Sequence, residues 1–285
     1  MNIKAFLAVT GAAALVASGA LAQQTGPDDD RLVVNNEIEV VTDAPAPDHM
    51  EFVRTIYSGW RFRSDETQSL QMDDFDNPAF VFVDQAIDDW NAEMGANGES
   101  CASCHEGPES MRGLRAELPR WDEDAGEVYT MEMYVNECRT ERMGLDAWGW
   151  NSQDMRNMTA LLASVSRGLP INVATDGPVR AAWEKGKEIY YTRFGQLELA
   201  CANCHEDNYG RMIRADHLSQ GQTNGFPVYR LKQANLVSKH NRFRGCIRDT
   251  RAETFSIGSP EFIALELYVA SRGNGLMVEG PSVRN

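Results

Sequence analysis

Four stretches of the chain alternate apolar and polar residues with the period of an amphipathic helix. Two of them, "VDQAIDDWNAEMG" and "RAAWEKGKEIYYTRFG", place a small residue four positions before an aromatic one, as Ala86 before Trp90 and Gly186 before Tyr190. Residues four apart share one face of a helix, so each pair predicts a closely packed helical face.

The other two stretches predict helices that end in the same tripeptide, Ser-Arg-Gly. "SQDMRNMTALLASVSRG" begins at a capping serine, Ser152, and ends at Gly168, whereas "SPEFIALELYVASRG" begins at Ser259 and ends at Gly273. Apolar residues recur in both at helical spacing. The chain therefore contains the same pair of predicted helices twice.

The first 22 residues form a short apolar run behind one cation, Lys4. The pattern Ala20-Leu21-Ala22 follows the run, which is typical of a signal peptide cleaved before Gln23. This run is too short and too rich in Ala and Gly for a membrane anchor, and no other stretch approaches the roughly 20 apolar residues that a span requires. We therefore expect an exported protein with no membrane span.

Two further segments divide the rest of the chain. Residues 23–50 are acidic and contain proline, and they are predicted to be an N-terminal extension that wraps another surface. "GLPINVATDG", residues 168–177, is the predicted linker. The expected domains are therefore residues 51–170 and 171–285.

The charge of the chain is strongly negative except in one short stretch. A net charge of −15 argues against a nucleic-acid partner, which needs basic surface over many phosphates. Against this background "KHNRFRGCIRDTR", residues 239–251, holds five Lys or Arg residues and one acid around Cys246. Cationic neighbours favour the thiolate, and arginine presents a planar donor fork to oxyanions. The stretch predicts a site that binds an anion.

The spacing of the six cysteines indicates chemistry rather than disulfides. Four of them lie in "CASCH" (101–105) and "CANCH" (201–205), and C-x-x-C-H is the attachment site of c-type haem. Three disulfides, the usual expectation for an exported protein, would leave this spacing unexplained, and a four-cysteine zinc site would leave both histidines unexplained. We predict two covalently bound haem c groups, attached through Cys101, Cys104, Cys201 and Cys204, with His105 and His205 as iron ligands.

The order of the predicted elements around each motif is similar to the class I cytochrome c fold. A helix with a small and aromatic face comes first, then C-x-x-C-H, a loop and a closing amphipathic helix, and this order occurs twice. The fold class is predicted to be mainly α, with two tandem class I cytochrome c-like domains related by internal duplication.

One cysteine of each half remains, in the segment before the closing helix, where cytochrome c modules take their second iron ligand. These are Cys138 in "YVNECRTERMG" and Cys246 in "FRGCIRDTRAE". Thiolate ligation lowers the potential of haem iron and methionine ligation raises it. We expect both cysteines to be ligands, with a Cys138–Cys246 disulfide as the alternative. His49 is expected to be a surface residue. The other candidate ligands are Met131, Met133 and Met143 for the first haem and Met212, His217 and His240 for the second.

With these motifs the chain resembles the SoxA family, the dihaem cytochrome subunits of the SoxAX complex that starts thiosulfate oxidation in sulfur-oxidising bacteria. The resemblance covers nearly the whole mature chain and rests on "CASCH", "NECR", "CANCH" and "RFRGC". It implies the axial pairs His105/Cys138 and His205/Cys246. It further implies that Cys246 is the catalytic group, carried as a persulfide, and that Arg242 binds the substrate.

The resemblance also implies an activity and partners. The expected enzyme is an L-cysteine S-thiosulfotransferase of the periplasm that joins thiosulfate oxidatively to a cysteine of the carrier SoxYZ. SoxX, a monohaem cytochrome c, is the expected heterodimer partner, and SoxYZ is a transient one. Two alternatives stay open: a dihaem electron carrier, in which the basic stretch would be a docking patch for an acidic partner, and a dihaem peroxidase, which needs an open iron position.

Overall fold

The structure of the chain, a computed structural model, describes residues 31–96 and 98–285. The predicted signal peptide (1–22) and the start of the N-terminal extension (23–30) lie outside the described residues. About 41% helix stands against 15% strand, so short strands take a larger share than the prediction of a mainly α chain allowed. Within the described residues, no helix is both long enough and apolar enough to cross a bilayer.

The helices of the described chain follow one another in this order: α1 (Asp65–Leu70), α2 (Phe80–Asn91), α3 (Cys101–His105), α4 (Leu114–Glu117), α5 (Met131–Glu137), α6 (Gln153–Ser164), α7 (Arg180–Tyr191), α8 (Cys201–His205), α9 (Lys239–Asp249) and α10 (Pro260–Ser271). Short 3-10 turns lie at Gly59–Phe62, Pro108–Met111, Gly177–Val179 and Leu231–Gln233, and a π-helical turn covers Cys138–Arg142.

The strands are short and pair mostly as antiparallel hairpins. They are β1 (Arg31–Val34), β2 (Ile38–Val41), β3 (Asp43–Pro45), β4 (Thr55–Tyr57), β5 (Arg120–Asp122), β6 (Glu127–Tyr129), β7 (Met212–Ile213), β8 (Asp216–His217), β9 (Val228–Arg230), β10 (Asn235–Val237) and β11 (Ser282–Arg284). The largest sheet has the order β10-β9-β11, in which β9 is antiparallel to β10 and parallel to β11.

The first half of the chain is built on the packing of α2 against α6. Ala86 and Trp90 are buried on α2, as their spacing predicts. Ser152 caps α6 by accepting a hydrogen bond from the Met155 amide at 3.2 Å. The two predicted helices of this half are therefore confirmed, and they enclose the segment that carries the first C-x-x-C-H motif.

The second half repeats this arrangement with α7 against α10. The helices approach closely at Gly186, where a Cβ atom would lie 2.0 Å from the Ala264 carbonyl oxygen, so only glycine fits. Ser259 caps α10, again as predicted, and α10 is buried on nearly every face. The small residue of the small/aromatic pair thus allows the contact between the two helices.

The N-terminal extension packs onto the second half of the chain. β1 and β2 place Leu32 opposite Val40, both fully buried, and the Val41 amide lies 3.2 Å from the Met277 sulfur. β3 pairs with β4 across residue 51, where the sequence places the start of the first domain. The described part of the extension therefore packs on other parts of the protein.

One expectation within the extension requires correction. His49 is not a free surface residue, because its ring stands edge-on to Trp183 with 5.2 Å between the centroids and also contacts Tyr268. Its pKa is lowered to about 4, first by burial and then by the nearby Arg272 and Lys187. A neutral His49 therefore helps to dock the extension on α7 and α10.

The predicted linker is a packed segment of the second half. Ile171 and Val173 are buried, and the Ile171 amide donates to the Leu276 carbonyl at 2.8 Å. The Val278 amide donates back to the Leu169 carbonyl at 2.9 Å. Because its backbone is hydrogen-bonded along this length, the segment joins the two halves rigidly.

Candidate functional site

The first C-x-x-C-H motif forms one helical turn, α3, held by a capping box. The Ser103 amide donates to Ser100 Oγ at 3.1 Å, and the Ser100 amide donates to Ser103 Oγ at 3.0 Å. This turn brings Cys101 and Cys104 to one side and His105 beside them. Trp90 of α2 lies under the turn, with its ring centroid 5.9 Å from that of His105.

The second motif forms the corresponding turn, α8, and fixes its histidine more tightly. His205 Nδ1 lies 2.7 Å from the Ser219 carbonyl oxygen, to which it donates a hydrogen bond. Burial lowers the pKa of His205 to about 4, so the ring is neutral and Nε2 is left as the acceptor nitrogen. Gly221 lies against the ring, since a Cβ atom there would be 2.9 Å from His205 Cγ.

Cys138 lies close to the first motif. It follows the last residue of α5 and begins the π-helical turn. Burial raises the pKa of the Cys101 thiol, and the neighbouring Cys138 raises it further. Burial likewise raises the pKa of Cys138, with smaller contributions from Glu137 and Cys104. The structure thus brings together the three cysteines of the first half.

Cys246 occupies the same position with respect to the second motif, on α9. Burial raises the pKa of Cys201 to about 12, and Cys246 is the next largest cause. The pKa of Cys204 is raised by burial and by Cys246 and is lowered by Arg242. Residues four apart share a helix face, so Arg242 and Cys246 both face α8.

The basic stretch around Cys246 divides into residues with different roles. Lys239 is buried and paired with Glu266, away from the solvent. Arg244, Arg248 and Arg251 are exposed on the outer surface. Of the five cations, Arg242 is therefore the one beside the motif, where it lowers the pKa of both Cys204 and His205.

Arg230, at the end of β9, joins this site from outside the basic stretch. Its side chain is buried, and its pKa is lowered first by burial and then by Arg242, while Cys246 raises it. Two other buried arginines nearby have carboxylate partners, Arg63 with Asp216 and Arg272 with Glu206. Arg230 instead donates to a backbone oxygen, that of Asn285, at 2.8 Å. Sequence reasoning missed Arg230, because its distance along the chain gives no sign that β9 meets α9.

The alternative ligands are placed less favourably. His240 Nδ1 accepts a hydrogen bond from the Gly258 amide at 3.1 Å and its Nε2 lies 3.0 Å from Glu266 Oε2, so both nitrogens face protein partners. Met131 and Met143 are buried in the first half, Met133 is half-buried, and Met212 and His217 lie opposite each other on the β7–β8 hairpin.

Neither of the competing cysteine arrangements is present in the described chain. All six cysteines are unpaired, so there is no Cys138–Cys246 disulfide. Across residues 31–96 and 98–285, no group of three or more His, Cys, Asp or Glu side chains is assembled as a metal site of the zinc type. The six cysteines form two separate groups, one in each half, with His105 and His205 beside them.

Comparisons with known proteins agree with this geometry. Residues 85–171 match the family described as SoxA/TsdA, cytochrome c domain. The chain is 59% identical to the L-cysteine S-thiosulfotransferase subunit SoxA of Paracoccus pantotrophus, over 99% of this chain and 98% of that protein. It is also 59% identical to the SoxA subunit of Rhodovulum sulfidophilum, over 96% and 97%.

A solved structure extends the similarity to three dimensions. The crystal structure of SoxXA from P. pantotrophus matches with a TM-score of 0.85 and 63% identity, and it covers 87% of this chain and 94% of that chain. Both haem-attachment motifs and the two further cysteines lie within a sequence that aligns over nearly its whole length. The chain therefore belongs to the SoxA family.

Proposed function

We propose that this chain is the SoxA subunit of an L-cysteine S-thiosulfotransferase, which joins thiosulfate to a cysteine of the carrier SoxYZ and passes the released electrons to c-type haem. Relatives with this name align over nearly the full length of the chain. The observation that carries the proposal is the position of Arg242 and Cys246, which share the face of α9 directed at the second motif.

The residues of both motifs fit haem c. Each pair of cysteines lies on one turn of helix with a histidine beside it, and the hydrogen bond from His205 Nδ1 to Ser219 leaves Nε2 available to iron. We propose two haems in two tandem cytochrome c-like domains, residues 51–170 and 171–285, related by duplication. The packing of α2 against α6 in the first half and of α7 against α10 in the second supports this.

The haems would have one histidine and one cysteine ligand each, His105 with Cys138 and His205 with Cys246. When bound, haem supplies an acceptor that takes up electrons one at a time. The two clusters differ in charge, because Cys138 has one acid and one base beside it, Glu137 and Arg142, whereas two arginines, Arg242 and Arg230, lie beside the second cluster. For this reason we assign the reaction to the second half and make Cys246 the catalytic residue.

Arg242 and Arg230 are proposed to bind the substrate. Thiosulfate is a dianion whose sulfonate oxygens match the planar donor fork of arginine. Burial lowers the pKa of Arg230 most, and the neighbouring Arg242 lowers it next, while Asp216 raises it. Within residues 31–96 and 98–285, neither arginine forms an ion pair with an Asp or Glu side chain. A bound dianion would offset the repulsion between the two arginines and leave its outer sulfur near Cys246.

The reaction then takes two steps that involve the Cys246 sulfur. First, the Cys246 thiolate and the outer sulfur of thiosulfate form a disulfide-type bond, and two electrons are released. Second, the thiolate of the carrier cysteine attacks that same outer sulfur, so the bond to Cys246 breaks and the Cys246 thiolate leaves. The carrier cysteine ends as an S-thiosulfonate, and the net reaction releases one proton, from the carrier thiol, and two electrons. A persulfide form of Cys246 would add one sulfur atom to the attacking group.

Location and partners follow from the family. The matched crystal structure is that of SoxXA, and we propose that this chain also pairs with SoxX, a monohaem cytochrome c, and meets SoxYZ transiently. Residues 1–22 are proposed to direct the protein to the periplasm, where these partners would be found.

The ligand proposal is tested by electron paramagnetic resonance of the haem-loaded chain. We expect low-spin signals with thiolate character, and Cys246→Met should change one set of them while Cys138→Met changes the other. If both signals of the native chain show methionine or bis-histidine ligation, the chain is an electron carrier, and the assignment of Cys246 is wrong.

A further inference from the structure

A buried carboxylate holds the first turn of α9. Glu266 lies within α10 and is fully buried among core residues of the second half. Its Oε1 forms an ion pair with Lys239 Nζ, and its Oε2 lies 3.0 Å from His240 Nε2. Lys239 and His240 are the first two residues of α9, and both are buried. One carboxylate thus contacts two successive side chains at the start of the helix that carries Arg242 and Cys246.

Residues from the first half of the chain complete this contact. The Trp150 ring stacks on His240 with 5.1 Å between centroids and an angle of 13°. Ser238, the N-cap of α9, donates its hydroxyl to Asn151 Oδ1 at 2.9 Å. Trp150 and Asn151 belong to the segment between Cys138 and α6. The start of α9 is therefore held from two sides, by α10 and by the first half.

The orientation of His240 is fixed by a hydrogen bond at Nδ1 and by the stacked Trp150 ring. The Gly258 amide donates to Nδ1 at 3.1 Å, which leaves the proton on Nε2, facing Glu266. Gly258 has a φ of +82° and lies against Trp150, where a Cβ atom would come within 2.9 Å of the ring. His240 therefore has one tautomer and one ring position.

Stability alone does not account for this cluster. Removing a lysine and a glutamate from water costs free energy that their mutual attraction often fails to recover, and apolar residues of similar volume are often as stable or more so. The charged pair instead constrains the orientation of α9. Lys239 Nζ on one carboxylate oxygen and the His240 ring beside the other oxygen orient the start of α9 about its axis, whereas an apolar contact would allow it to turn.

This rotation determines where the reactive side chains point. Lys239, Arg242 and Cys246 are spaced by three and then four residues, so they lie along one side of α9. A change in the rotation at Lys239 moves Arg242 and Cys246 relative to α8 and to Arg230.

We propose that Glu266, Lys239, His240, Trp150 and Asn151 form a brace that positions α9 so that Arg242 and Cys246 face the second haem-attachment motif. They are positioning residues, since they act through Arg242 and Cys246. The inference rests on the proposed function for the role of that pair. It also gives the first half of the chain a part in the reaction of the second, through Trp150 and Asn151.

The test uses Glu266→Gln in the haem-loaded full chain, in complex with the cytochrome partner. We expect the electron paramagnetic resonance signal of the His205 haem to broaden or split while that of the His105 haem stays unchanged. We also expect the KM for thiosulfate to rise at least about tenfold, with a smaller change in kcat, because misplaced binding groups weaken productive alignment. The matched control is Glu279→Gln, which removes an equally buried carboxylate that pairs with Arg284 and contacts no residue of α9.

Each outcome decides the proposal. A folded Glu266→Gln variant with a native signal and a native KM overturns it, and so does a control that shows the same changes. If Glu266→Gln does not fold, Trp150→Leu replaces it, with the same two readouts and the same overturning result. If the native complex transferred no thiosulfate to the carrier, the proposed function would be refuted. The electron paramagnetic resonance spectra of the variants would still test the brace.

Discussion

At the scale of single residues, the proposed reactive site depends on Arg242 and Cys246, one helical turn apart. The sequence identified both, because a thiol surrounded by cations is unusual in a chain of net charge −15. Charge alone did not separate Arg242 from the four other cations of that stretch, and only the resemblance to the SoxA family pointed to it. The packing of α9 shows that Lys239 is buried against Glu266 and that three arginines face solvent. Arg230 gave no local signal at all.

The structure predicts a specific role for Arg230. In Arg230→Gln the KM for thiosulfate should rise about tenfold or more with little change in kcat, because a hydrogen bond to a charged group contributes about 1.5–3 kcal/mol. Steady-state transfer to the carrier measures this. Arg244→Gln is the control, because Arg244 is exposed on the same helix and contacts Asn241, so its KM should stay native. Equal KM values in the two variants would show that Arg230 does not bind the substrate.

Gly221 supports the ring of His205, and a pair of glycine variants tests this contact. Gly221→Ala and Gly210→Ala both place a side chain at positive φ, +77° and +78°, which costs about 1 kcal/mol or more. Only Gly221→Ala also meets the imidazole, since nothing lies within 4 Å of a Cβ atom at Gly210. We expect Gly221→Ala alone to change the low-spin signal of the His205 haem. Native spectra in both variants would contradict the proposed support.

At the scale of elements, the helices were the most predictable part of the chain. Ser152 and Ser259 mark the starts of α6 and α10 by their capping hydroxyls. The small residue before each aromatic marks where α2 packs against α6 and where α7 packs against α10. The short strands and the π-helical turn at Cys138 were not predicted, since pairing with distant segments determines them. The packing of the N-terminal extension was predicted only in outline.

The docking of the extension through His49 predicts a dependence of stability on pH. The folded protein keeps His49 neutral with a pKa of about 4, whereas the unfolded chain has a value near 6.5. Between these values the unfolded state binds more protons, so this contribution is complete above about pH 6.5 and is lost as the pH falls towards 4. Because the ring is only half-buried, we expect on the order of 1–2 kcal/mol.

Urea unfolding at pH 7.5 and pH 5.0 measures this contribution. The free energy of unfolding should fall between the two values by about 1 kcal/mol more in the native chain than in His49→Phe, which keeps an aromatic ring against Trp183. An identical fall in the free energy of unfolding of both proteins would show that the neutral His49 ring does not contribute to the docking of the extension.

At the scale of the whole molecule, the chain combines a net charge of −15 with the anion site that we propose at Arg242 and Arg230. The repeated motifs and their order predict one pair of packed helices in each half, α2 with α6 and α7 with α10. The connection between the halves could not be predicted, because it consists of single contacts between distant residues, such as Trp150 with His240 and Ile171 with Leu276. These contacts make the halves one unit, in which the first supports the helix that carries the reaction of the second.

The central claim is that the sulfur of Cys246 performs the transfer, and one measurement tests it most directly. Mass spectrometry of the carrier after a single turnover would follow formation of the S-thiosulfonate by the reconstituted complex that contains the native chain, Cys246→Ala or Cys138→Ala, each checked for bound haem. We predict that the native complex and Cys138→Ala modify the carrier and that Cys246→Ala does not. Modification by the Cys246→Ala complex at the native rate would contradict the account.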